Sequence, residues 1–320
     1  MSFELIYPAL RPLRHLLEDE TISEVGINGN GHVWIERNGS LEDILNVDLS
    51  AFNLKFACTT IARVLGDDVS PERPLLDSRL PDGSRVAIVF PPVSVNGVTL
   101  TIRKFRPVQF TLDELVERGS MPAEVAGLLH HAVQQHQTIL VSGGTGSGKT
   151  TVLNAIANLI DSEERIGVIE DTAELRVTAK NVFRFEARRP LPGIPGISIR
   201  DLLKASLRHR PDRILVGEVR GGEAWDLIQA INTGHAGSLS TIHANSAHQA
   251  LSRLATLTLQ SDIDIPYRAI QSEIGDLINL VIQAERRKEG RRISQLMRVH
   301  GFDPDSGRYR TEMLYQAQVN

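Results

Sequence analysis

The chain has 320 residues, 41% of them hydrophobic and 23% charged, enough for two domains and at least one sizeable core. A net charge of −4 with His neutral excludes the global basic character of a nucleic-acid coat, and the single Cys58 excludes both an intramolecular disulfide framework and a Cys-rich metal site. No run approaches the roughly 18 apolar residues of a membrane span, and the N-terminus lacks the basic region and apolar core of a signal peptide, so a cytoplasmic protein without an intrinsic span is expected.

Residues 8–19 carry Leu10, Leu13, Leu16 and Leu17 at helical spacing and predict a helix. Residues 24–28 and 32–36 read as two short strands around Asn28-Gly29-Asn30-Gly31, and Asn38-Gly39 supplies a second turn. Phe52 to Leu65 is an amphipathic helix, and Val86 to Phe90 and Val98 to Ile102 are strands. Residues 1–106 thus form an α+β unit. Residues 107–121, with Pro107, Gly119 and a short helical patch at Leu112 and Leu115, read as a connector.

Residues 122–320 open with a helix from Ala123 to His136, and from there strands and helices alternate. Strands are expected at 138–141, 165–169, 182–185, 214–216 and 238–242, helices at 199–207, 223–233 and 249–259, and a loop over 188–196. That alternation implies a mostly parallel sheet with crossover helices, and ligands in such sheets sit at the carboxyl ends of the strands. The strand before Glu170 is expected to neighbour the one before Ser142. In the tail, residues 279–283 and 293–299 predict two strands around the run Arg286-Arg287-Lys288-Glu289-Gly290-Arg291-Arg292. The run is a charged turn or a basic patch for lipid head groups or nucleic acid.

Ser142 to Thr151 reads S-G-G-T-G-S-G-K-T-T, in which Gly143, Gly148, Lys149 and Thr150 fit the phosphate-binding pattern G-x-x-x-x-G-K-[ST]. Glycines let the backbone aim successive N–H groups at phosphate oxygens. Lys149 would reach the β- and γ-phosphates, and the Thr150 hydroxyl would ligate Mg²⁺. Gly144, Thr145, Gly146, Ser147 and Thr151 complete the expected contact set for ATP. A standard second nucleotide motif ends its apolar strand in Asp. Here Arg213-Ile214-Leu215-Val216 ends in Gly217 followed by Glu218. Magnesium would then be held by Thr150, phosphates and water, leaving Glu218 to orient or deprotonate the attacking water.

These motifs resemble the secretion (traffic) ATPases of type IV and type II secretion and pilus assembly. The phosphate loop, Val168 to Leu175, Val216 to Arg220, and Thr233 through Ser246 are similar to that family's four ordered motifs, and residues 80–85 and 101–104 match its first domain. Residues 80–105 and 217–250 resemble most closely the conjugative-transfer (TrbB-like) and tight-adherence pilus (CpaF-like) branches. The type II branch usually carries a paired-cysteine zinc module, which Cys58 alone does not build. The resemblance implies a RecA-like P-loop NTPase domain, of α/β class, behind a smaller α+β domain. It also implies a homohexamer that works with inner-membrane partners and is peripheral to that membrane.

For the site, the resemblance implies Glu218, Glu170, Lys149, His243 and Arg103 as catalytic, with Arg85, Asp171 and His235 beside the nucleotide. The acidic pair Glu170-Asp171 would hold Mg²⁺-bound water or the nucleophile, or else cap a following helix. His235 and His243, on either side of one strand, would sense the γ-phosphate. Arg103 and Arg85 would neutralise phosphate charge from the first domain. Two rivals are a nucleic-acid motor and a small-molecule kinase. Mild acidity and the lack of interleaved aromatics disfavour the first, and no direct nucleic-acid binding is expected.

Overall fold

The computed structural model divides into two compact units, Met1–Val108 and Gln109–Asn320. It describes residues 8, 10–37, 39–45, 47, 49–105, 110–190, 193–287 and 290–318. Asn38, Pro107, Leu191, Pro192, Lys288 and Glu289, which the sequence places in turns or connectors, lie outside the described residues.

The first unit begins with a 3-10 turn, Arg11–Leu13, that runs into helix α1 (Arg14–Glu18). Pro12 has no N–H to donate, so α-helical bonding starts later than the leucine spacing alone predicts. Strands β1 (Ile22–Ile27), β2 (Val33–Arg37) and β3 (Ser40–Ile44) follow. Helix α2 (Ala51–Val64) is capped by the Ser50 side chain, which accepts from Asn53 N–H. Strands β4 (Leu75–Arg79), β5 (Arg85–Val89) and β6 (Thr99–Arg103) complete an antiparallel sheet in the order β3-β2-β1-β6-β5-β4. Alternate residues of its inner strands (Val25, Ile27, Ile35, Val86, Ile88, Leu100, Ile102) pack with α2 in one core. Cys58 is part of that core, and burial pushes its thiol up to about 12. Strands β3 and β4 escape the sequence reading because they are the sheet's edges, with few buried side chains to mark a period of two.

The second unit starts inside the stretch read as a connector. Helix α3 (Leu112–Glu117) begins with a reciprocal Thr111–Glu114 capping box, and Leu112, Leu115 and Met121 are buried in this unit's core. Then come α4 (Ala123–Gln134), β7 (Ile139–Gly143), α5 (Lys149–Ala157), β8 (Arg165–Glu170), β9 (Asn181–Glu186) and α6 (Ile199–Ser206). Strand β10 (Arg213–Val219), α7 (Glu223–Asn232), β11 (Leu239–Ile242), α8 (Ala247–Thr258) and α9 (Tyr267–Leu277) lead to β12 (Leu280–Arg287), β13 (Gly290–Asp303) and β14 (Arg308–Gln316). The sheet order is β14-β13-β12-β7-β11-β10-β8-β9, parallel from β12 to β9 and antiparallel at β13 and β14.

Both faces of the central strands β7, β8 and β10 are covered, which is why they read as apolar runs. Ile139, Val141, Val168 and Leu215 point into a core closed by α3, α4 and α5. Leu140, Ile169, Ile214, Val216 and Ile242 point the other way, into a core closed by α6, α7, α8 and α9.

One sequence expectation is corrected. Strand β8 does not neighbour β7. It pairs with β10 and β9, while β7 lies between β11 and β12. Chain order suggested adjacency, but the crossovers through α6 and α7 insert β10 and β11 between them.

Candidate active site

The phosphate loop is built by three local constraints. Strand β7 is fully buried and delivers Gly143 at its carboxyl end. At Gly143 a Cβ would stand 2.4 Å from the Ala284 carbonyl oxygen on β12, so no side chain fits. At Gly148, the N-cap of α5, φ is 93°, a left-handed conformation that glycine adopts without strain. Helix α5 then begins at Lys149, so the N–H groups of its first turn, at Lys149, Thr150 and Thr151, stand at the loop.

The interior of this loop suits an anion. Lys149 is buried, and its Nζ donates to the loop's own carbonyls at Gly143 (3.1 Å) and Gly144 (3.0 Å). Ser147 Oγ is buried without a hydrogen-bond partner. Above Gly144 a Cβ would meet nothing within 4 Å, so the cradle is open there. A buried ammonium turned onto its own backbone, together with an orphan hydroxyl, is the arrangement that phosphate oxygens would satisfy.

From Lys149 a line of polar contacts runs across the strand ends. His243, directly after β11, places Nε2 at 3.3 Å from Lys149 Nζ and 2.7 Å from Glu218 Oε1. Glu218 Oε2 accepts from Arg220 Nη2 at 2.6 Å and Nε at 2.8 Å, and Arg220 Nη1 donates to Asp171 Oδ2 at 3.2 Å. A register shift in β10 between Val216 and Val219 bulges the strand at Gly217-Glu218 and turns Glu218 toward the end of β11. Burial holds His243 below the ordinary histidine range, with Lys149 and Arg220 adding to the effect against Glu218. A neutral imidazole at that point either donates to Glu218 or accepts from Lys149 through the same nitrogen.

Glu170 sits differently from its neighbour Asp171. It is 3% exposed, and its Oε1 accepts from the N–H groups of Glu174 (2.9 Å) and Leu175 (2.8 Å). No helix follows; the carboxylate braces the irregular segment after β8. Burial raises the Glu170 carboxyl above the usual carboxylate range, opposed by those two bonds and by Arg184. The side chain also explains the missing Asp of the second motif. A Cβ on Gly217 would lie 3.0 Å from Glu170 Cγ, so Glu170 fills the space a residue there would need. Gly217→Asp should therefore lower stability by about 1–3 kcal/mol in a chemical melt without tightening nucleotide binding. An unchanged melt with tighter binding would refute this account of the glycine.

Thr150 and Thr151 lie in the first turn of α5, half-buried at the loop, and Thr145 lies in the loop itself. His235 stands before β11, its Nδ1 2.9 Å from the Ala230 carbonyl at the end of α7. Two residues on, the Gly237 N–H meets Thr138 Oγ1 just before β7, so His243 is at the strand end beside the loop while His235 is at the strand start, away from the phosphate loop, which corrects its expected place beside the nucleotide. Arg85 and Arg103 are register partners on β5 and β6 of the first unit, and Arg103 also stands opposite Glu24 on β1. Among the described residues no group of three or more His, Cys, Asp or Glu could hold a metal ion.

Sequence reasoning missed Gln283 and Ser142. Ser142 Oγ lies 2.5 Å from Gln283 Oε1, and Gln283 Nε2 donates to the Ala244 carbonyl at 3.2 Å, tying the loop strand to the segment after His243. A glutamine directly after the apolar run Leu280-Val281-Ile282 was the available signal. Arg286 and Arg291, read as part of a charged turn, lie against the phosphate loop.

A parallel sheet with a glycine loop feeding a helix, and an acidic residue at a nearby strand end, defines a P-loop nucleoside triphosphatase of RecA-like fold. The conjugal transfer protein TrbB of Rhizobium radiobacter is 34% identical over 306 residues, covering 94% of this chain and 90% of that protein. The type IV secretion system protein PtlH homolog of Bordetella bronchiseptica is 37% identical over 303 residues, covering 87% and 89%. Among solved structures, the VirB11 ATPase of the Brucella suis type IV secretion system, in complex with sulphate, is similar with a TM-score of 0.50 and 31% identity over 92% of this chain and 94% of that one. The chain belongs to the type II/IV secretion system protein family, which it matches over residues 9–303. Nucleotide binding and nucleoside-triphosphatase activity follow from that membership. Among the described residues no helix is long and apolar enough to cross a membrane.

Proposed function

We propose that this chain is a Mg²⁺-dependent ATPase that works as a homohexamer and energises a type IV secretion or conjugative transfer apparatus. The observation that carries the reading is the line from Lys149 through His243 to Glu218, which sets a carboxylate beside the phosphate loop. Lys149 and the N–H groups at the start of α5 bind the β- and γ-phosphates. Glu218 orients the attacking water and takes its proton, and ADP and phosphate leave. His243, neutral between the lysine and the glutamate, responds to whether Lys149 is engaged by the γ-phosphate. Thr150 would hold Mg²⁺, which when bound neutralises charge on the phosphate oxygens. On the resemblance alone, Arg103 and Arg85 are assigned to neutralising phosphate charge, with Glu170 and Asp171 as supporting groups. The named relatives act in conjugal transfer and type IV secretion, which supports that machinery over pilus assembly. We place the protein at the inner membrane through protein partners.

Phosphate release by the purified chain with ATP and Mg²⁺ tests the activity. Lys149→Ala should abolish it by removing the buried ammonium from the loop. Mass measurement in solution should give hexamers on nucleotide addition. Monomer at every nucleotide state would remove the ring from the proposal, and absence of nucleotide-dependent phosphate release would remove the enzyme.

A further inference from the structure

Strand β12 runs parallel to β7, with Gln283 opposite Ser142 and Ala284 opposite Gly143. It continues past the loop's first glycine at about 3.3 Å per residue, so its hairpin with β13 rises alongside the phosphate loop. Two arginines of that hairpin reach the loop. Arg291 Nε donates to the Gly146 carbonyl at 2.8 Å, and Arg291 Cδ is 3.2 Å from the position a Cβ would take on Gly148. Arg286 Nη1 is 3.2 Å from the corresponding position on Gly146.

The Arg291 contact has a directional effect. The carbonyl of Gly146 and the N–H of Ser147 belong to one trans peptide and point opposite ways. Holding the carbonyl toward Arg291 turns the Ser147 N–H away from the hairpin and across the loop, where it meets the Gly144 carbonyl at 3.4 Å. That bond is long and weak, so a phosphate oxygen would displace it readily. A peptide flanked by Gly146 has little of its own to hold that orientation.

We propose that the β12–β13 hairpin is part of the nucleotide site, with Arg291 as a positioning residue that fixes the crest peptide of the phosphate loop and Arg286 as a guanidinium that binds a phosphate oxygen of the bound nucleotide. The inference deepens the reading of the loop as a nucleoside triphosphate site and rests on it. A guanidinium suits the task because its planar donors remain charged at all working pH values and hold a carbonyl or phosphate in a fixed direction. The engagement of Arg291 with a loop carbonyl favours this role over a surface patch for lipid or nucleic acid.

Calorimetric titration of the full chain with ADP and with a non-hydrolysable ATP analogue tests it. Arg287, on the same hairpin but ion-paired with Glu285 at 3.0 Å, is the charge-matched control. Arg291→Ala and Arg286→Gln should each weaken analogue binding about tenfold, the size of one lost charge-assisted hydrogen bond. Arg287→Ala should stay within about twofold of wild type. Arg286→Lys should recover most of the loss, because it keeps the charge, whereas Arg291→Lys should not, because it lacks the planar Nε–H. In steady-state kinetics the loss should fall on KM more than on kcat. If wild type binds nucleotide and Arg286→Gln and Arg291→Ala bind as tightly as Arg287→Ala, the proposal is overturned while the nucleotide site stands. Equal weakening in all three variants would also overturn it, as would loss of binding to phosphatidylserine vesicles or single-stranded DNA with nucleotide affinity intact. A wild-type chain that binds neither nucleotide overturns the underlying reading and this inference together.

Discussion

Glu218→Gln should bind ATP close to wild-type affinity and hydrolyse it at least about 100-fold more slowly, the usual size of a lost general base. The substitution keeps the side chain's shape and an oxygen to accept from Arg220, which now donates twice to Glu218. It removes the negative charge and the site that takes a proton. Lys149 and the start of α5 are untouched, so affinity should hold. The pairing with His243 at 2.7 Å also matters, because a glutamine amide cannot match the carboxylate's attraction for a ring N–H. Nucleotide titration and a phosphate-release assay on one preparation separate the two effects. Full turnover in Glu218→Gln would shift the catalytic assignment to another carboxylate.

The second large effect concerns stability at the opposite end of the sheet. Arg213, 1% exposed at the start of β10, donates from Nε and Nη2 to both oxygens of Glu164 at 2.6 and 2.7 Å. Its Nη1 has no hydrogen-bond partner, and a Cβ on Gly237 would come within 2.8 Å of it. Arg213→Ala leaves Glu164 without its bidentate partner and opens a cavity, and should cost about 3–5 kcal/mol. Replacing both partners, as in Arg213→Met with Glu164→Leu, should cost far less, because no uncompensated charge remains. Trp34 is in the first unit and Trp225 in the second. A Trp34→Phe background therefore makes Trp225 fluorescence report the second unit alone during urea denaturation. A single Arg213→Ala variant within about 1 kcal/mol of its parent would show that the pair does not hold this end of the sheet.

The parallel core was legible because burial on both faces leaves an apolar run that no solvent-facing alternation disguises. β7, β8 and β10 were read in place for that reason. Edge strands β3 and β4 were not, since an edge buries too few residues to imprint a period. The register of strands in space was also hidden. Nothing in residues 158–212 states that β8 lies beyond β10, because strand order is decided by which faces the crossover helices must cover. The phosphate loop and Glu218 were legible as motifs, since each needs particular atoms at fixed spacing. The contribution of Arg286 and Arg291 was not. Arginines in a polar run look alike whether they face water or a loop, and only the pairing of β12 with β7 separates the two.

One property of the line from Lys149 to Asp171 bears on how a change at the nucleotide would travel. Its members follow β7, β11, β10 and β8 in turn, which is the order of those strands in the sheet. The connection therefore runs crosswise, along a fringe of side chains at the strand ends. A shift at Lys149 needs only rotamer changes to be felt at Asp171, at the far side of this row. If the chain works as proposed, the sheet would serve as a stator and its carboxyl rim as the part that answers the nucleotide.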